Sequence, residues 1–322
     1  MKKISWGIIG CGNVTEVKSG PAFNLVPNSE LVAVMRRDAG KAEDYAMRHG
    51  VKKWFADAGD LINDSDVNAL YIATPPAFHE AYTLQAFKAG KQVYVEKPMA
   101  LDSAEAERMA QAAEHYQCKL SIAHYRRAQP RFKKILKLLN DKTIGEILAV
   151  ELHFHSPYQP GTENTWRINP AISGGGLFHD LAPHQLDLMV YFFGRPLKVE
   201  GSSLNRANLY DADDYAQAKI IFENNIKFHG IWDFNAPFGS EEDLCVINGS
   251  HGSISFEVFG NDCDLTIGEK TEKLEFDYLP HVQQPMIDQV VKYFIDEGSN
   301  PCPAEEAVAV MTMMDKITGK TA

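Results

Sequence analysis

Three polar side chains are spaced for proton chemistry. Asp180, His184 and Asp187 stand at i, i+4 and i+7 in the run Leu177–Phe193 (LFHDLAPHQLDLMVYFF). On a helix they share one face. An imidazole flanked by carboxylates is held in orientation and its pKa is raised, which suits a proton donor and acceptor. Two other readings compete: a capped structural helix, and a metal cluster of Asp180 with His184. Against the metal, the chain has no HExxH, and His153 with His155 is only an alternating strand pair. His179, five positions from His184, points elsewhere.

A second cluster lies near the start. Gly7-Ile-Ile-Gly10-Cys-Gly12-Asn13-Val14-Thr15 ends a short β-type run, Ile4–Ile9. Gly10 permits a tight turn, and Gly12 lets the backbone approach a pyrophosphate at a helix N-terminus. Thr15 replaces the third glycine of the usual pattern, so the motif alone is weak. Its place after a strand, opening a βαβ unit, is the stronger signal for a dinucleotide. The competing reading is a Gly-rich turn with no ligand. The turn after the next strand, Leu31–Asp38 (LVAVMRRD), should choose the cofactor. An acidic residue there suits the ribose of NAD, whereas arginine accommodates the 2′-phosphate of NADP. Arg36 and Arg37 therefore point to NADP over NAD. The alternative leaves one or both solvated, with Asp38 capping the following helix. Lys97 follows the run Gln92–Glu96, at the strand end where open α/β sheets bind ligands. By position alone it is a surface lysine.

These residues need elements to position them. Up to about residue 124, β-type runs (Ile4–Ile9, Glu30–Met35, Ala69–Thr74, Gln92–Glu96, Leu120–His124) alternate with helical ones (Lys41–His49, Phe78–Ala89, Ser103–Tyr116). Gly50 suits the left-handed position past a helix end, and Ser103 suits an N-cap. That alternation predicts βαβ units and a parallel sheet. After a helix near Pro130–Leu139 the style changes. Successive strands, with Asn224-Asn225 as a tight hairpin turn, predict a mostly antiparallel sheet. Helices near Leu177–Phe193, Pro285–Asp296 and Ala304–Ile317 complete an α+β domain. The expected division is 1–124 for the nucleotide and 125–322 for substrate and assembly, with the closing helices able to pack back on the first part.

Composition excludes several classes. The 322 residues carry 32 Lys plus Arg against 43 Asp plus Glu, a net charge of −11. Such a chain repels nucleic acid and anionic lipid unless it has a basic patch. The densest basic stretch (Arg126, Arg127, Arg131, Lys133, Lys134, Lys137) reads as a solvated helix face. Five scattered cysteines without CxxC argue against a disulfide framework and fit a reduced, cytoplasmic protein. No apolar run approaches the ~20 residues of a membrane helix.

Together the segments resemble the glucose–fructose oxidoreductase/inositol dehydrogenase (Gfo/Idh/MocA) family. The carriers are GIIGCGNV, Ala73-Thr-Pro-Pro76 with His79, Ala89-Gly90-Lys91, Glu96-Lys97-Pro98, Trp166-Arg167, and GGG…Asp180…His184…Asp187. The resemblance spans nearly the whole chain. It implies an N-terminal Rossmann domain, a doubly wound parallel sheet, and a C-terminal α+β domain whose large open sheet forms a homodimer or homotetramer. It implies a nicotinamide cofactor and a sugar, polyol or related cyclic substrate. By matching position, Gly10, Gly12, Asn13, Val14, Arg36, Arg37, Thr74, Pro75, His79, Glu96 and Lys97 meet the cofactor. Lys97, His184 and Asp180 are catalytic, and Trp166, Arg167 and Tyr158 face substrate, with His155 a further pocket candidate. Thr15, Arg36 and His124-Tyr125 depart from the commoner family pattern.

The expected activity is reversible hydride transfer, with His184 moving the hydroxyl proton, Lys97 steadying the alkoxide and Asp180 holding the imidazole. Which of Lys97 and His184 formally moves the proton stays open. Two alternatives are an NAD-dependent glycosidase, which would cleave a glycoside with no net redox change, and a non-catalytic nucleotide-sensing regulator.

Overall fold

The computed structural model describes residues 2–162 and 165–320. Its elements fall into two compact units. The first takes the chain up to Ala100, Ala104–Gln129 and Leu279–Val308; the second takes Leu101–Ser103, Pro130–Tyr278 and the chain from Ala309.

The first unit is built on β1 (Ile4–Ile9), β2 (Ser29–Met35), β3 (Lys53–Phe55), β4 (Ala69–Ile72), β5 (Gln92–Val95) and β6 (Leu120–Ile122). All pair in parallel, in the order β3-β2-β1-β4-β5-β6. The central strands are apolar throughout because both faces are covered. Trp6, Phe23, Tyr71 and Tyr94 pack in a row, with successive ring centroids 4.8, 5.2 and 5.2 Å apart, the first two pairs tilted and the last stacked. The accompanying helices are α1 (Asn13–Val17), α2 (Ala22–Leu25), α3 (Ala39–His49), α4 (Ala58–Ile62), α5 (His79–Lys88) and α6 (Ser103–His115). Gly50 ends α3 at φ 66°, as its type predicts. Ser103 does not act as the expected cap. It is the first residue of α6, and its own N–H donates to Asp315 Oδ2 at 2.7 Å.

The second unit holds α7 (Pro130–Asn140), β7 (Ile147–His155), α8 (Pro170–Ser173), α9 (Leu177–Phe193) and seven further strands. These are β8 (Pro196–Leu204), β9 (Tyr215–Phe222), β10 (Lys227–Asp233), β11 (Glu242–Gly249), β12 (Gly252–Phe256), β13 (Cys263–Ile267) and β14 (Lys270–Leu274). They form one sheet, β14-β13-β12-β11-β7-β10-β9-β8, in which only β7 with β10 is parallel. The turn between β9 and β10 places Asn224 and Asn225 at φ 57° and 60°, the left-handed pair a tight hairpin needs. Period-two alternation gives the sheet one apolar face, with Val150, Leu152, Ala218, Ile220, Phe228, Trp232, Cys245 and Ile247 buried. Helix α9 lies on that face. Phe178 meets Trp232 edge-on at 5.1 Å, and Trp232 Nε1 donates to Gln185 Oε1 at 2.7 Å.

The basic stretch is not the solvated face the sequence suggests. Arg126, Arg127 and Arg131 are buried; Lys133, Lys134 and Lys137 are exposed. Arg131 donates to the carbonyls of Glu257, Val258 and Asp262 at 2.6, 3.0 and 3.2 Å. Backbone carbonyls from a remote loop satisfy a charge that would otherwise be costly to bury.

The chain closes with α10 (Gln284–Phe294) and α11 (Ala304–Ile317). Leu279–Val308 returns to the first unit. There Glu306 pairs with Arg127, and Asn300 Nδ2 donates to Leu120 O at 2.7 Å. A single cut near 124/125 therefore divides the chain less completely than its contacts do. All five cysteines are free thiols, and no helix among the described residues is long and apolar enough to cross a membrane.

Candidate active site

In the first unit the candidate residues gather along one edge of the sheet. Ile9 pairs with Met35 and with Ile72, and Ile72 with Val95. The next residues, Gly10, Arg36, Ala73 and Glu96, are therefore level at the C-terminal ends of β1, β2, β4 and β5. Four adjacent strands span about 14 Å, three spacings of ~4.8 Å. Strand order reverses direction at β1, the switch point where such sheets bind ligands.

Each turn along this edge has its own cause. Gly10 sits at φ +93°, and its N–H donates to Met35 O at 2.9 Å. A Cβ there would lie 2.9 Å from Thr74 Cγ2 and 3.0 Å from the Ala73 carbonyl, so only glycine lets the first turn close on the third. Gly12 differs. It is extended, and an added Cβ would meet nothing nearer than Gly10 O at 3.9 Å. The protein's own packing does not require glycine there; a ligand backed against the turn would. Thr15 Oγ1 donates to Gly12 O at 2.8 Å and accepts from Gly12 N–H at 3.0 Å. Helix α1 begins at Asn13, directly after Gly12, so the turn offers close backbone approach at the N-terminus of a short, five-residue helix. Burial pushes the Cys11 thiol up to about 11, which leaves it neutral filler.

The two arginines separate. Arg36 is half-buried and its Nη1 donates to Cys11 O at 3.3 Å. Arg37 is exposed, with its guanidinium 5.4 Å from the Phe78 ring centroid. Asp38 caps α3 by accepting from Lys41 N–H at 3.1 Å. Thr74 Oγ1 is buried with no hydrogen-bond partner among the described residues. His79 is fully buried, its ring nitrogens 2.7 Å from Thr74 O and 3.0 Å from Pro98 O. Burial lowers it to about 4, so the ring is neutral. It ties the turn after β4 to the turn after β5. A neutral imidazole carries one N–H, so it donates to one of these carbonyls while its other nitrogen lies against the second. Glu96 is buried at the end of β5, and Lys97 beside it is half-buried, followed by a cis bond to Pro98.

In the second unit the Gly174–Gly176 run leads into α9. A Cβ on Gly175 would lie 2.3 Å from the His179 ring, so this glycine makes room for a buried imidazole. Burial holds His179 at about 3, well away from any proton-transfer role near neutrality. Asp180 opens α9, and its Oδ2 accepts from Arg167 Nε at 2.9 Å. The short turn Trp166–Ile168 and the Asn169-capped α8 bring that guanidinium in, and it lies 4.7 Å from the Trp166 ring centroid. His184 is one turn beyond Asp180, buried against the edge of Phe259 at 5.7 Å. Asp187 is buried on the same helix, and Tyr158 is half-buried in the loop after β7.

His155 is not gathered with them. Phe154 faces Phe259 and hence α9, so alternation turns His153 and His155 to the opposite face of the sheet. There both Nδ1 atoms approach Glu242 Oε2, at 3.5 and 3.6 Å. Among the described residues no group of three His, Cys, Asp or Glu side chains could hold a metal ion. Two residues behind the first unit's edge, Tyr71 and Gln283, carry no local sequence signal. Both touch Glu96, and Gln283 stands 187 positions away from it.

Comparison with known proteins adds to this geometry. Residues 4–124 match the oxidoreductase family model with an NAD-binding Rossmann fold, and residues 132–255 match the GFO/IDH/MocA C-terminal domain. The chain is 43% identical over 321 residues to Oxidoreductase P35 of Formosa agariphila, covering 98% of this chain and 99% of that one. It is 27% identical over 276 residues to the scyllo-inositol 2-dehydrogenase (NADP(+)) IolW of Bacillus subtilis, covering 84% and 73%. Its fold is similar to that of a levoglucosan dehydrogenase solved with NADH and levoglucosan, at a TM-score of 0.87 and 20% identity, covering 99% and 97%.

Proposed function

Because the chain belongs to the Gfo/Idh/MocA oxidoreductase family, we propose that it is a dehydrogenase or reductase preferring NADP, acting on a CH–OH or C=O group of a sugar, polyol or related cyclic compound. The observation that carries this is the level row of Arg36, Gly10–Gly12, Thr74 and Glu96–Lys97 at the switch point. The residues fit a dinucleotide. Gly12 leaves open space that the protein does not fill, and Thr74 Oγ1 is a buried polar atom awaiting a partner.

The nicotinamide, when bound, exchanges a hydride with the substrate carbon. Gly10, Gly12, Asn13 and Val14 would cradle the pyrophosphate. Arg36 would meet the 2′-phosphate, with Arg37 on its exposed side. Thr74, Pro75 and Glu96 would line the ribose and nicotinamide, and His79 would hold their two turns in register. Lys97 would steady the alkoxide oxygen. In oxidation His184 takes the hydroxyl proton and in reduction returns it, so the substrate loses or gains one proton and one hydride. Asp180 would orient this end of α9, with Arg167, Trp166 and Tyr158 on substrate.

Nicotinamide absorbance tests this reading, with NADP(H) and NAD(H) against aldoses, polyols, inositols and keto-sugars. We expect turnover favouring NADP(H), lowered about 10²–10⁴-fold by His184→Asn. Turnover with NAD(H) alone would overturn the cofactor preference and keep the reaction. Glycoside cleavage without net redox change would replace the reaction itself.

We also infer self-association through the sheet face opposite α9, which carries half-buried Ile231, Leu244 and Val246 on β10 and β11 and exposed Leu204 on the edge strand β8. Light scattering at micromolar concentration should give a dimer or tetramer. A monomer would overturn this.

A further inference from the structure

We propose that Gln283 is a positioning residue for the Glu96–Lys97 turn. The inference rests on the reading of Lys97 as the group that meets the substrate oxygen.

Gln283 is fully buried at the start of α10, in the returning segment of the first unit. Its Nε2 donates to Glu96 Oε1 at 2.6 Å. Tyr71 OH donates to the same oxygen at 2.5 Å, and the second oxygen accepts the Lys97 backbone N–H at 3.1 Å. The carboxylate of Glu96 thus has two donors behind it and the lysine backbone in front. Its position fixes where the lysine stem leaves the sheet.

The amide has one workable orientation. Tyr94 OH donates to Gln283 Oε1 at 3.2 Å, which leaves Nε2 to face the carboxylate. Flipping the amide would set a carbonyl oxygen against Glu96 and cost both bonds. Burial, then the nearby Glu96 charge, raises both tyrosines well above 10, so each phenol keeps the proton it donates. A glutamate of the same length would place a second carboxylate within hydrogen-bonding distance of Glu96, and the two would share a proton.

The same residue reaches the other cofactor turn. Its backbone N–H donates to Lys18 O at 3.1 Å, and His281 Nδ1 donates to Val17 O at 2.6 Å. Both carbonyls end α1, the helix that follows Gly10–Gly12. Gln283 therefore braces the glycine turn and the lysine turn from behind, without access to substrate.

The test compares Gln283→Met, Gln283→Glu and Lys97→Met in the full chain. Methionine keeps the volume and removes the hydrogen bonds. For Gln283→Met we expect kcat to fall about tenfold or more, the order for losing one hydrogen bond to a charged group. Cofactor Kd, read by quenching of protein fluorescence, should change less than about threefold. Gln283→Glu should add an ionisation to the pH profile of kcat that the native enzyme lacks. A purely structural role would lower Tm without moving that profile. If Gln283→Met does not fold, Tyr94→Phe removes the hydroxyl that orients the amide, and kcat should still fall in the same direction. Native kcat and pH profile in these variants, with Lys97→Met inactive, would overturn the role of Gln283 alone. Full turnover by Lys97→Met would overturn the reading of Lys97 and this inference with it.

Discussion

Arg167 and Asp180 lie thirteen residues apart in the sequence and are joined by a 2.9 Å bond from Nε to Oδ2. The guanidinium also covers Trp166, so one arginine links an aromatic ring to the first turn of α9. The Arg167 side chain is 46% exposed. A pair this open adds at most about 1 kcal/mol to stability. Its value to the molecule is better sought in substrate binding. Arg167→Ala should leave Tm nearly unchanged and raise substrate KM about tenfold, with a smaller effect on kcat. Steady-state kinetics beside a thermal melt checks this, and an unchanged KM would remove Arg167 from the substrate side.

Gly10 and Gly12 should separate stability from binding. Gly10→Ala forces a left-handed residue into Thr74 and the Ala73 carbonyl, so the fold should lose about 1–3 kcal/mol or more. Gly12→Ala meets no protein atom closer than 3.9 Å and should melt like the native chain. Its cofactor Kd should nonetheless rise at least about tenfold, since the methyl occupies the open side of the turn. Normal binding by Gly12→Ala would mean that the dinucleotide does not pass there.

On the proposed reading of Arg36, Arg36→Asp would replace a phosphate partner with a ribose partner. The ratio of kcat/KM for NADP to that for NAD should fall about 10²-fold or more. The variant also loses the bond to Cys11 O, so a melt should accompany the kinetics. An unaltered ratio would show that this side chain does not choose the cofactor.

Acid should destabilise the chain through two histidines. His79 and His179 titrate at about 4 and about 3, held down chiefly by burial. Both would titrate near 6.5 when unfolded. Between about pH 6.5 and 4 the unfolded chain therefore binds more protons, and stability rises with pH in that window. Each depressed imidazole contributes fully above pH 6.5. That contribution is lost as pH falls, at about 1.4 kcal/mol per unit per group. Tm should drop by several degrees from pH 7 to pH 5. His179→Gln should show a shallower drop, whatever its starting Tm, and an equal slope would refute the assignment.

Local physics made much of this fold legible. Helix α9 spans the Leu177–Phe193 expected of it, and Gly50 and Asn224-Asn225 adopt the backbone their types predict. Short or polar elements were not legible. Lys53–Phe55 is too brief for a period, and Lys270–Leu274 is a polar edge strand with no buried residue. The buried arginines escaped for another reason: Arg131 is satisfied by carbonyls more than a hundred residues away. Gln283 belongs with them, since a glutamine before a helix says nothing about a carboxylate far upstream. Sequence motifs show which groups touch a ligand edge and are silent about what stands behind them.

The return of Leu279–Val308 to the first unit bears on the order of synthesis. The ribosome makes that unit's sheet first, but the residues that brace Glu96, Arg127 and β6 emerge only after Pro130–Tyr278. At 5–20 residues per second the interval is roughly 7–30 s. During it, Glu96 is without Gln283 and Arg127 is without Glu306. A nascent chain stalled at Tyr278 should remain protease-sensitive within its first 129 residues, and one released at full length should not. The nucleotide-binding unit is thus the earliest part of the protein to be made and among the last to be finished.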